Sequence, residues 1–278
     1  MSRVNGTTMG LIGGGVILLI VIALVVVAVT GGSSPPATTA SVTGPAPASV
    51  VQQVSTVPAS VFNAVGIGSA GNSAPTVLSG KPALKKGGLP EVIYIGAEYC
   101  PYCAAERWAM VVALSRFGTF SNLKATESST TDVFPGTKTF SFYGATYSSP
   151  YLVFDPTELC TNQHVANPQP ACNPYGTLQA PSAQVASIDA ADNPQGSIPF
   201  IDIGNRYTII SAQYSPGDLS GATMAEIAAS LTHPATTVAQ DIIGSANYVT
   251  AAICKITGGK PGNVCTSNGV KQATAKLP

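Results

Sequence analysis

Hydrophobic residues are spread unevenly along the chain, and their longest run lies near the amino terminus. Residues 11–29 are all uncharged and are mostly Val, Ile and Leu. A helix of this length, at about 1.5 Å per residue, approaches the ~30 Å thickness of the hydrocarbon core of a bilayer. The run therefore predicts a transmembrane anchor over residues 11–30. A cleaved signal peptide is the alternative, although its apolar stretch is usually shorter.

The segment that follows, residues 31–56, has the composition of a linker. It is rich in Ser, Thr, Pro, Ala and Gly and contains no charged or aromatic residue. Such a segment cannot bury enough apolar surface to fold on its own. We therefore predict a disordered linker here, and a folded domain over residues 57–278.

The first clear elements of this domain are a strand and the helix after it. Residues 91–96 form a short apolar run with the β-branched content of a strand. Pro101 suits the first position of a helix, residues 104–114 lack Gly and Pro, and Gly118 provides a C-terminal stop. The same reasoning predicts strands at 138–143, 151–154, 198–203 and 206–210, and helices at 182–188, 223–231 and 236–256.

Residues 160–195 interrupt this pattern with a stretch rich in Pro, Asn, Gln and Ala. A composition of this kind is typical of surface loops. We expect a β-rich or irregular insertion at the surface of the domain. The mixture of strands and helices around it predicts an α/β domain that ends in C-terminal helices and is preceded by one transmembrane helix.

Charge restricts both the partners and the orientation of the chain. The sequence has 13 basic and 13 acidic residues, only 9% of the total, and no net charge. No basic stripe is available for phosphate groups, so nucleic acid is not an expected partner. Arg3 and the amino terminus carry the positive charge nearest to the apolar run. The positive-inside rule then places residues 1–10 in the cytoplasm and the C-terminal domain outside it.

The strongest chemical signal is the motif Cys100-Pro-Tyr-Cys103 between the predicted strand and helix. Free backbone N–H groups and the positive end of the helix dipole favour a thiolate at this position. Cys100 is therefore the expected nucleophile. Cys103, one turn into the helix, is the expected resolving thiol that attacks a mixed disulfide on Cys100. A structural disulfide and half of a zinc site are the alternatives for such a pair.

The other four cysteines are expected to be structural. Disulfides persist outside the cytoplasm, and six cysteines allow fifteen pairings. Local spacing favours Cys160 with Cys172 and Cys254 with Cys265, since each pair flanks a turn rich in Pro or Gly. A zinc site is the alternative for Cys160, which with His164 and the Cys100-Pro-Tyr-Cys103 motif would supply four ligands. We expect no metal, and without a phosphate-binding glycine loop or a dinucleotide fingerprint we expect no organic cofactor.

Several neighbours of the motif have more than one interpretation. Tyr99 and Tyr102 flank Cys100 and are candidates to line the approach of a substrate polypeptide, with core packing as the equal alternative. Glu106 is a candidate proton shuttle, but an exposed surface position is favoured for it. Arg107 is expected to anchor the fold through buried polar contacts, and Trp108 to lie in the core.

The motifs also resemble known proteins. A strand, a Cys-x-x-Cys helix start and a later Ile-Pro that opens an antiparallel hairpin together resemble the thioredoxin fold over residues 57–257. The resemblance implies that Pro199 is a cis-proline beside the dithiol, and that the backbone of Ile198 pairs with a bound substrate strand. Three stretches, IGAEYCPYCAAERW (95–108), LSRFG (114–118) and IPFIDIGN (198–205), are similar to an uncharacterised membrane-anchored family of archaea and bacteria placed among thioredoxin-like folds.

Together, these features lead to two functional hypotheses. The first is a membrane-tethered, extracytoplasmic thiol–disulfide oxidoreductase that acts on the thiols and disulfides of exported proteins and exchanges electrons with a membrane redox partner. The second is a non-catalytic thioredoxin-like binding module that is stabilised by three disulfides. The redox behaviour of the Cys100–Cys103 pair discriminates between them.

Overall fold

A computed structural model describes residues 44–278, and the elements below are numbered in chain order within that range. The strands are β1 Gly44–Pro45, β2 Thr76–Val77, β3 Lys85–Lys86, β4 Leu89–Gly96, β5 Thr119–Ser121, β6 Lys124–Glu127, β7 Lys138–Ser141, β8 Thr146–Ser148, β9 Val153–Glu158, β10 Cys160–His164, β11 Tyr175–Thr177, β12 Phe200–Ile203 and β13 Tyr207–Ile210. The α-helices are α1 Ala48–Ser55, α2 Ala59–Val65, α3 Pro101–Leu114, α4 Ala183–Asp192, α5 Met224–Ser230, α6 Thr237–Ile256, α7 Gly262–Cys265 and α8 Asn268–Thr274.

The central sheet is mixed and is organised around β4. This strand pairs in parallel with β9 on one side and antiparallel with β12 on the other, and β12 continues into β13 as an antiparallel hairpin. Short strands extend the sheet at its edges, with β2 beside β13 and β3 beside β4. The described part of the chain is therefore a mixed α/β structure, as the alternation of elements predicts.

Both faces of β4 are buried, because its alternate side chains point to opposite faces of the sheet. Val92 and Tyr94 join the main core, which also contains residues from α3 and α6. Ile93 and Ile95 face a smaller cluster that includes Val185 of α4. The sheet consequently has helices on both faces, and α3 is enclosed between the sheet and α6.

The beginning of the folded domain is a correction to the sequence-based prediction. Residues 48–55, predicted to belong to the linker, form α1, and its Val50 and Val54 are buried in the main core. Before it, Gly44 pairs with Ala125 of β6. The valines repeat at a spacing of four and so share one helix face, which a judgement from overall composition overlooks.

The predicted insertion at 160–195 contains regular structure. Strands β10 and β11 pair antiparallel, and α4 follows them with Ser182 as its N-cap. The disulfides Cys160–Cys172 and Cys254–Cys265 are present, which is the pairing that the local spacing favours. The predicted cytoplasmic segment 1–10 and the anchor at 11–30 lie outside the described residues. Within residues 44–278, no helix has both the length and the hydropathy needed to cross a bilayer.

Candidate functional site

The Cys100-Pro-Tyr-Cys103 motif lies at the point where the central strand of the sheet leads into α3. Cys100 is the N-cap of this helix, in an extended conformation, and Pro101 occupies the first helical turn. The backbone N–H of Cys103 donates to the Cys100 sulfur at 3.2 Å. The sulfur thus takes the place of the oxygen that usually caps a helix, and the free N–H groups of the first turn are directed at it.

The two thiols have opposite acid–base properties. A hydrogen bond from the Cys103 thiol is the strongest of the effects that lower the pKa of Cys100, and the N–H groups of the first turn and the Arg107 charge add to it. Burial, followed by the contact with Cys100, raises the pKa of Cys103 well above its usual range. Both thiols are free, with Cys100 5% exposed and Cys103 fully buried. Cys100 is therefore the more acidic thiol of the pair, and Cys103 is the thiol that donates the hydrogen bond.

The segment that leads into β12, the neighbouring strand of β4, contacts the dithiol. The Ile198–Pro199 peptide bond is cis, and the Ile198 carbonyl oxygen lies 3.7 Å from the Cys100 sulfur. Phe200 follows as the first residue of β12 and pairs with Ile95 of β4, where it is fully buried. Sheet pairing thus brings the Ile-Pro motif and the dithiol together, although they are far apart in the sequence.

The two tyrosines beside Cys100 have different surroundings. Tyr99 stacks on Tyr175 of β11, with ring centroids 4.3 Å apart and planes 5° from parallel, and burial raises the pKa of Tyr99 to about 12. Tyr102 is 37% exposed and contacts the edge of Phe134. Tyr99 is consequently fixed within the structure, whereas Tyr102 presents an apolar surface beside Cys100. No local signal in the sequence points to Tyr175 or Phe134.

Behind the dithiol lies a buried ion pair. Arg107 donates to both carboxylate oxygens of Glu158, at 2.8 and 2.6 Å, and also to the Ala97 carbonyl at 2.8 Å. Arg107 and Glu158 are fully buried. The prediction that Arg107 makes buried polar contacts is confirmed, and Trp108 lies in the core as expected.

A second carboxylate accompanies this pair. Glu98 is fully buried and hydrogen-bonds to Ser141. Burial, opposed by Arg107 and reinforced by the Glu98 charge, raises the pKa of Glu158 to about 7. One guanidinium therefore serves two carboxyl groups, and the cluster favours retention of a proton near neutral pH. Charged residues are usually read as exposed, so sequence reasoning missed both acids.

Glu106 differs from its predicted environment. It is fully buried, not exposed, and its carboxylate accepts a hydrogen bond from the Gln213 backbone N–H at 3.1 Å. Burial raises its pKa to about 8. The exposed interpretation was wrong because every residue of α3 except Tyr102 is buried.

Cys160 and His164, considered above as alternative zinc ligands, make other contacts in the structure. Cys160 is committed to its disulfide with Cys172 and cannot supply a thiolate. His164 lies against the Tyr175 ring, 4.9 Å between centroids. Within residues 44–278, no group of three or more His, Cys, Asp or Glu side chains has the arrangement of a metal site.

A separate cleft of about 360 Å³ lies at the opposite end of the central strand from Cys100. Its lining includes Pro90 at the start of β4 and the β12–β13 turn at Gly204 and Asn205. It does not include any residue of the dithiol motif. The cleft and the dithiol are therefore separate features of the described residues.

No curated protein and no solved structure matches this chain. The sequence model of one family, described as a domain of unknown function (DUF929), matches residues 78–255. This range covers well over half of the chain and includes the dithiol, Ile198, Pro199 and the Cys160–Cys172 bridge. The protein therefore belongs to the DUF929 family.

Proposed function

We propose that this protein is a thiol–disulfide oxidoreductase with a thioredoxin-like fold, tethered to a membrane and acting on exported proteins outside the cytoplasm. The observation that carries the proposal is the asymmetry of the dithiol. Cys100 caps a helix and has a lowered pKa, whereas its neighbour Cys103 holds a proton. A thiolate next to a resolving thiol is the arrangement that disulfide exchange requires.

The topology supports the thioredoxin-like assignment. Strand β4, helix α3 and the parallel strand β9 form a βαβ unit, and the antiparallel pair β12–β13 adds to the other side of β4 before α5 and α6. The dithiol begins the first helix of this arrangement, and the cis Ile198–Pro199 bond precedes the third strand of the set. These are the placements that the sequence resemblance implies.

The proposed reaction transfers two electrons between sulfur pairs. The Cys100 thiolate attacks one sulfur of a substrate disulfide, forms a mixed disulfide and expels the other substrate sulfur as a thiolate, which takes up a proton. Cys103 then loses its proton and attacks the Cys100 sulfur. The Cys100–Cys103 bond forms, the second substrate thiolate leaves, and the substrate is reduced while the protein dithiol is oxidised. The reverse sequence oxidises a substrate dithiol, and the potential of the membrane redox partner sets the direction.

The position of Ile198 suggests how a substrate is oriented. Its carbonyl oxygen faces the Cys100 sulfur and can accept a backbone N–H from an extended substrate segment. Tyr102, two residues after Cys100, adds an exposed aromatic ring to the same part of the surface. An extended polypeptide with apolar residues beside its cysteine would satisfy both contacts.

A second candidate is the non-catalytic binding module, which the low exposure of Cys100, 5%, favours. The two candidates predict different redox behaviour. The full-length protein is equilibrated in graded thiol–disulfide buffers, and each cysteine pair is followed by alkylation and peptide mass mapping. If the protein is an oxidoreductase, the buffer should reduce the Cys100–Cys103 disulfide at a potential well above about −300 mV, while the other two disulfides resist reduction. Equal resistance of all three pairs contradicts the proposal and supports the binding module.

The membrane tether requires its own measurement. It rests on the apolar run at residues 11–29. The full-length chain should stay in the membrane fraction after alkaline extraction, whereas a variant that lacks residues 2–43 should be released. Release of both chains would remove the tether from the proposal without affecting the dithiol chemistry.

A further inference from the structure

The β10–β11 hairpin connects a structural disulfide to the walls of the dithiol site. We use the name disulfide hairpin for residues 160–177, which comprise the paired strands β10 and β11 and the Cys160–Cys172 bridge. Both sulfurs of this bridge are buried in a small cluster with Ala97 and Tyr175. Tyr99, Leu159 and Ile198 pack against the same cluster. One bridge therefore supports the residue before Cys100 and the residue that faces its sulfur.

The hairpin, together with Leu159 just before it, holds the segment before Cys100 through backbone hydrogen bonds. The Glu98 N–H donates to the Cys160 carbonyl at 2.9 Å, and the Leu159 N–H donates to the Gly96 carbonyl at 2.7 Å. On the other side, the Ser129 N–H donates to the Tyr99 carbonyl at 2.9 Å. The turn that presents Cys100 is thus fixed from two directions, and one of them is the disulfide hairpin.

The hairpin also fixes the Tyr99 side chain. The Tyr175 ring stacks on the Tyr99 ring. The His164 ring also contacts Tyr175, with the two ring planes tilted relative to each other. His164 and Tyr175 are paired across the hairpin, so the bridge determines where the Tyr175 ring stands. Because Tyr99 immediately precedes Cys100, fixing the Tyr99 ring also fixes the turn that presents the thiol.

We propose that the disulfide hairpin is a positioning element for thiol–disulfide exchange: the Cys160–Cys172 bridge and the Tyr175 ring hold Tyr99 over one side of Cys100 and keep the Ile198 carbonyl facing its sulfur. The proposal rests on the proposed function, because it assigns a substrate-orienting role within that reaction. It gives the bridge a role beyond general stabilisation. Opening the hairpin should expose Cys100 to small reagents. It should also weaken the binding of a peptide disulfide in the orientation needed for reaction with Cys100.

The test uses the full-length protein with Cys103→Ala, so that Cys100 remains a single reactive thiol and a mixed disulfide accumulates. Into this background come Cys160→Ala/Cys172→Ala, Tyr175→Ala and Tyr175→Phe. The matched control is Cys254→Ala/Cys265→Ala, which removes a bridge of similar loop length at the far end of α6. Two rates are measured at Cys100: alkylation by iodoacetamide, and mixed-disulfide formation with a peptide disulfide over a range of concentrations.

Loss of the bridge or of the Tyr175 ring should accelerate alkylation and raise the half-saturating peptide concentration, each by about threefold to tenfold, as expected for loss of one aromatic stacking contact. The maximal mixed-disulfide rate should change little. Tyr175→Phe keeps the aromatic ring, so its alkylation rate and half-saturating peptide concentration should match those of the parent protein. The Cys254→Ala/Cys265→Ala control should match the parent protein.

Two results would overturn the inference. One is that the hairpin variants and the Cys254→Ala/Cys265→Ala control have the same alkylation rate and the same rate of mixed-disulfide formation. The other is an unchanged Tyr175→Ala protein, which keeps the bridge and therefore remains informative even where the double cysteine variant does not fold. If the parent forms no mixed disulfide with the peptide while the alkylation rates still separate the variants, the proposed function fails and the covering of Cys100 by the hairpin stands.

Discussion

The Cys100 sulfur lies 3.7 Å from the carbonyl oxygen of Ile198, a residue 98 positions later in the chain. The contact forms because β12 pairs with β4 and begins beside the end of that strand. In it the Cys100 thiol donates a weak hydrogen bond to the Ile198 carbonyl, while the helix N-terminus favours the thiolate form of the same group. Cys100 at the start of α3 and Ile198 before β12 are therefore brought together by the pairing of β12 with β4.

The first prediction concerns the acidity of the Cys100 thiol. The Cys103 thiol is the main hydrogen-bond donor that lowers the pKa of Cys100, so Cys103→Ala should raise that pKa. The ultraviolet absorbance of the thiolate, followed as a function of pH, measures it. In Cys100→Ala, the remaining Cys103 should ionise only at far higher pH, because burial raises its pKa. A Cys103 that titrates below Cys100 would reverse the assignment of roles.

The second prediction concerns the buried ion pair. Arg107→Leu leaves Glu158 and Glu98 without their cation and should lower the free energy of unfolding by about 3–5 kcal/mol. Glu158→Gln should cost less, because Glu98 remains as a partner charge for Arg107. Chemical denaturation measures both values. Since the Arg107 charge also lowers the pKa of Cys100, the Arg107 variant should titrate at higher pH wherever it stays folded.

An exposed pair provides the control for this comparison. Lys138 and Glu127 form an ion pair at the surface, with the Lys138 side chain 45% exposed. Surface pairs contribute about 0–1 kcal/mol, so Lys138→Met should have little effect on unfolding. If Arg107→Leu is no more harmful than Lys138→Met, the buried pair does not stabilise the fold as described.

The third prediction is a pH dependence of stability that originates at Glu106. Its pKa in the folded protein is about 8, well above the value of an exposed carboxyl group. A raised pKa means that the folded state binds the proton more tightly than the unfolded state. The contribution is then fully present below about pH 4.5, the ordinary pKa of a Glu side chain, and is lost as the pH rises through 8.

Unfolding free energies measured from pH 5 to pH 9 test this sign. The parent protein should be less stable at the alkaline end, by as much as ~4 kcal/mol from this group alone. Glu106→Gln can still accept the Gln213 N–H and should lose much of the slope. The slope that remains belongs to other buried acids such as Glu158, whose pKa is about 7. Identical slopes in both proteins would show that Glu106 is not the buried acid responsible.

The fourth prediction separates the two tyrosines of the site. Tyr102 has an exposed ring two residues after Cys100, so Tyr102→Ser should raise the half-saturating concentration of a peptide disulfide while the rate of iodoacetamide alkylation stays nearly constant. Tyr175→Ala, which removes the ring stacked on Tyr99, should instead change both the half-saturating peptide concentration and the alkylation rate. The same mixed-disulfide assay distinguishes the two patterns. Accelerated alkylation in Tyr102→Ser would mean that Tyr102 covers the thiol and does not serve as a contact surface.

Local patterns in the sequence predict the elements that hold the dithiol. The strand before Cys100, the helix after it and the β12–β13 hairpin depend on short-range signals such as Pro101, Gly118 and the Gly204-Asn205 turn. These signals act over a few residues and do not require knowledge of the fold. The central part of the site is therefore predictable from the amino-acid sequence alone.

The environment of that site could not be predicted in the same way. Arg107 and Glu158 are 51 positions apart and meet only because β9 pairs with β4. Glu106 is buried because helices and sheet surround α3 completely, and no local pattern distinguishes that from a helix with one exposed face. Helix α1 was missed because its small and polar neighbours resemble linker, although Val50 and Val54 face the core.

The imbalance of buried charge has a consequence for the electrical behaviour of the whole molecule. Among residues 44–278, six acidic side chains are buried but only one basic side chain, Arg107. Glu106 and Glu158, with pKa values of about 8 and 7, are largely neutral at pH 6.7, where the sequence alone would have no net charge. The folded protein is then cationic at that pH, and isoelectric focusing of the native protein should give a higher value than focusing in urea.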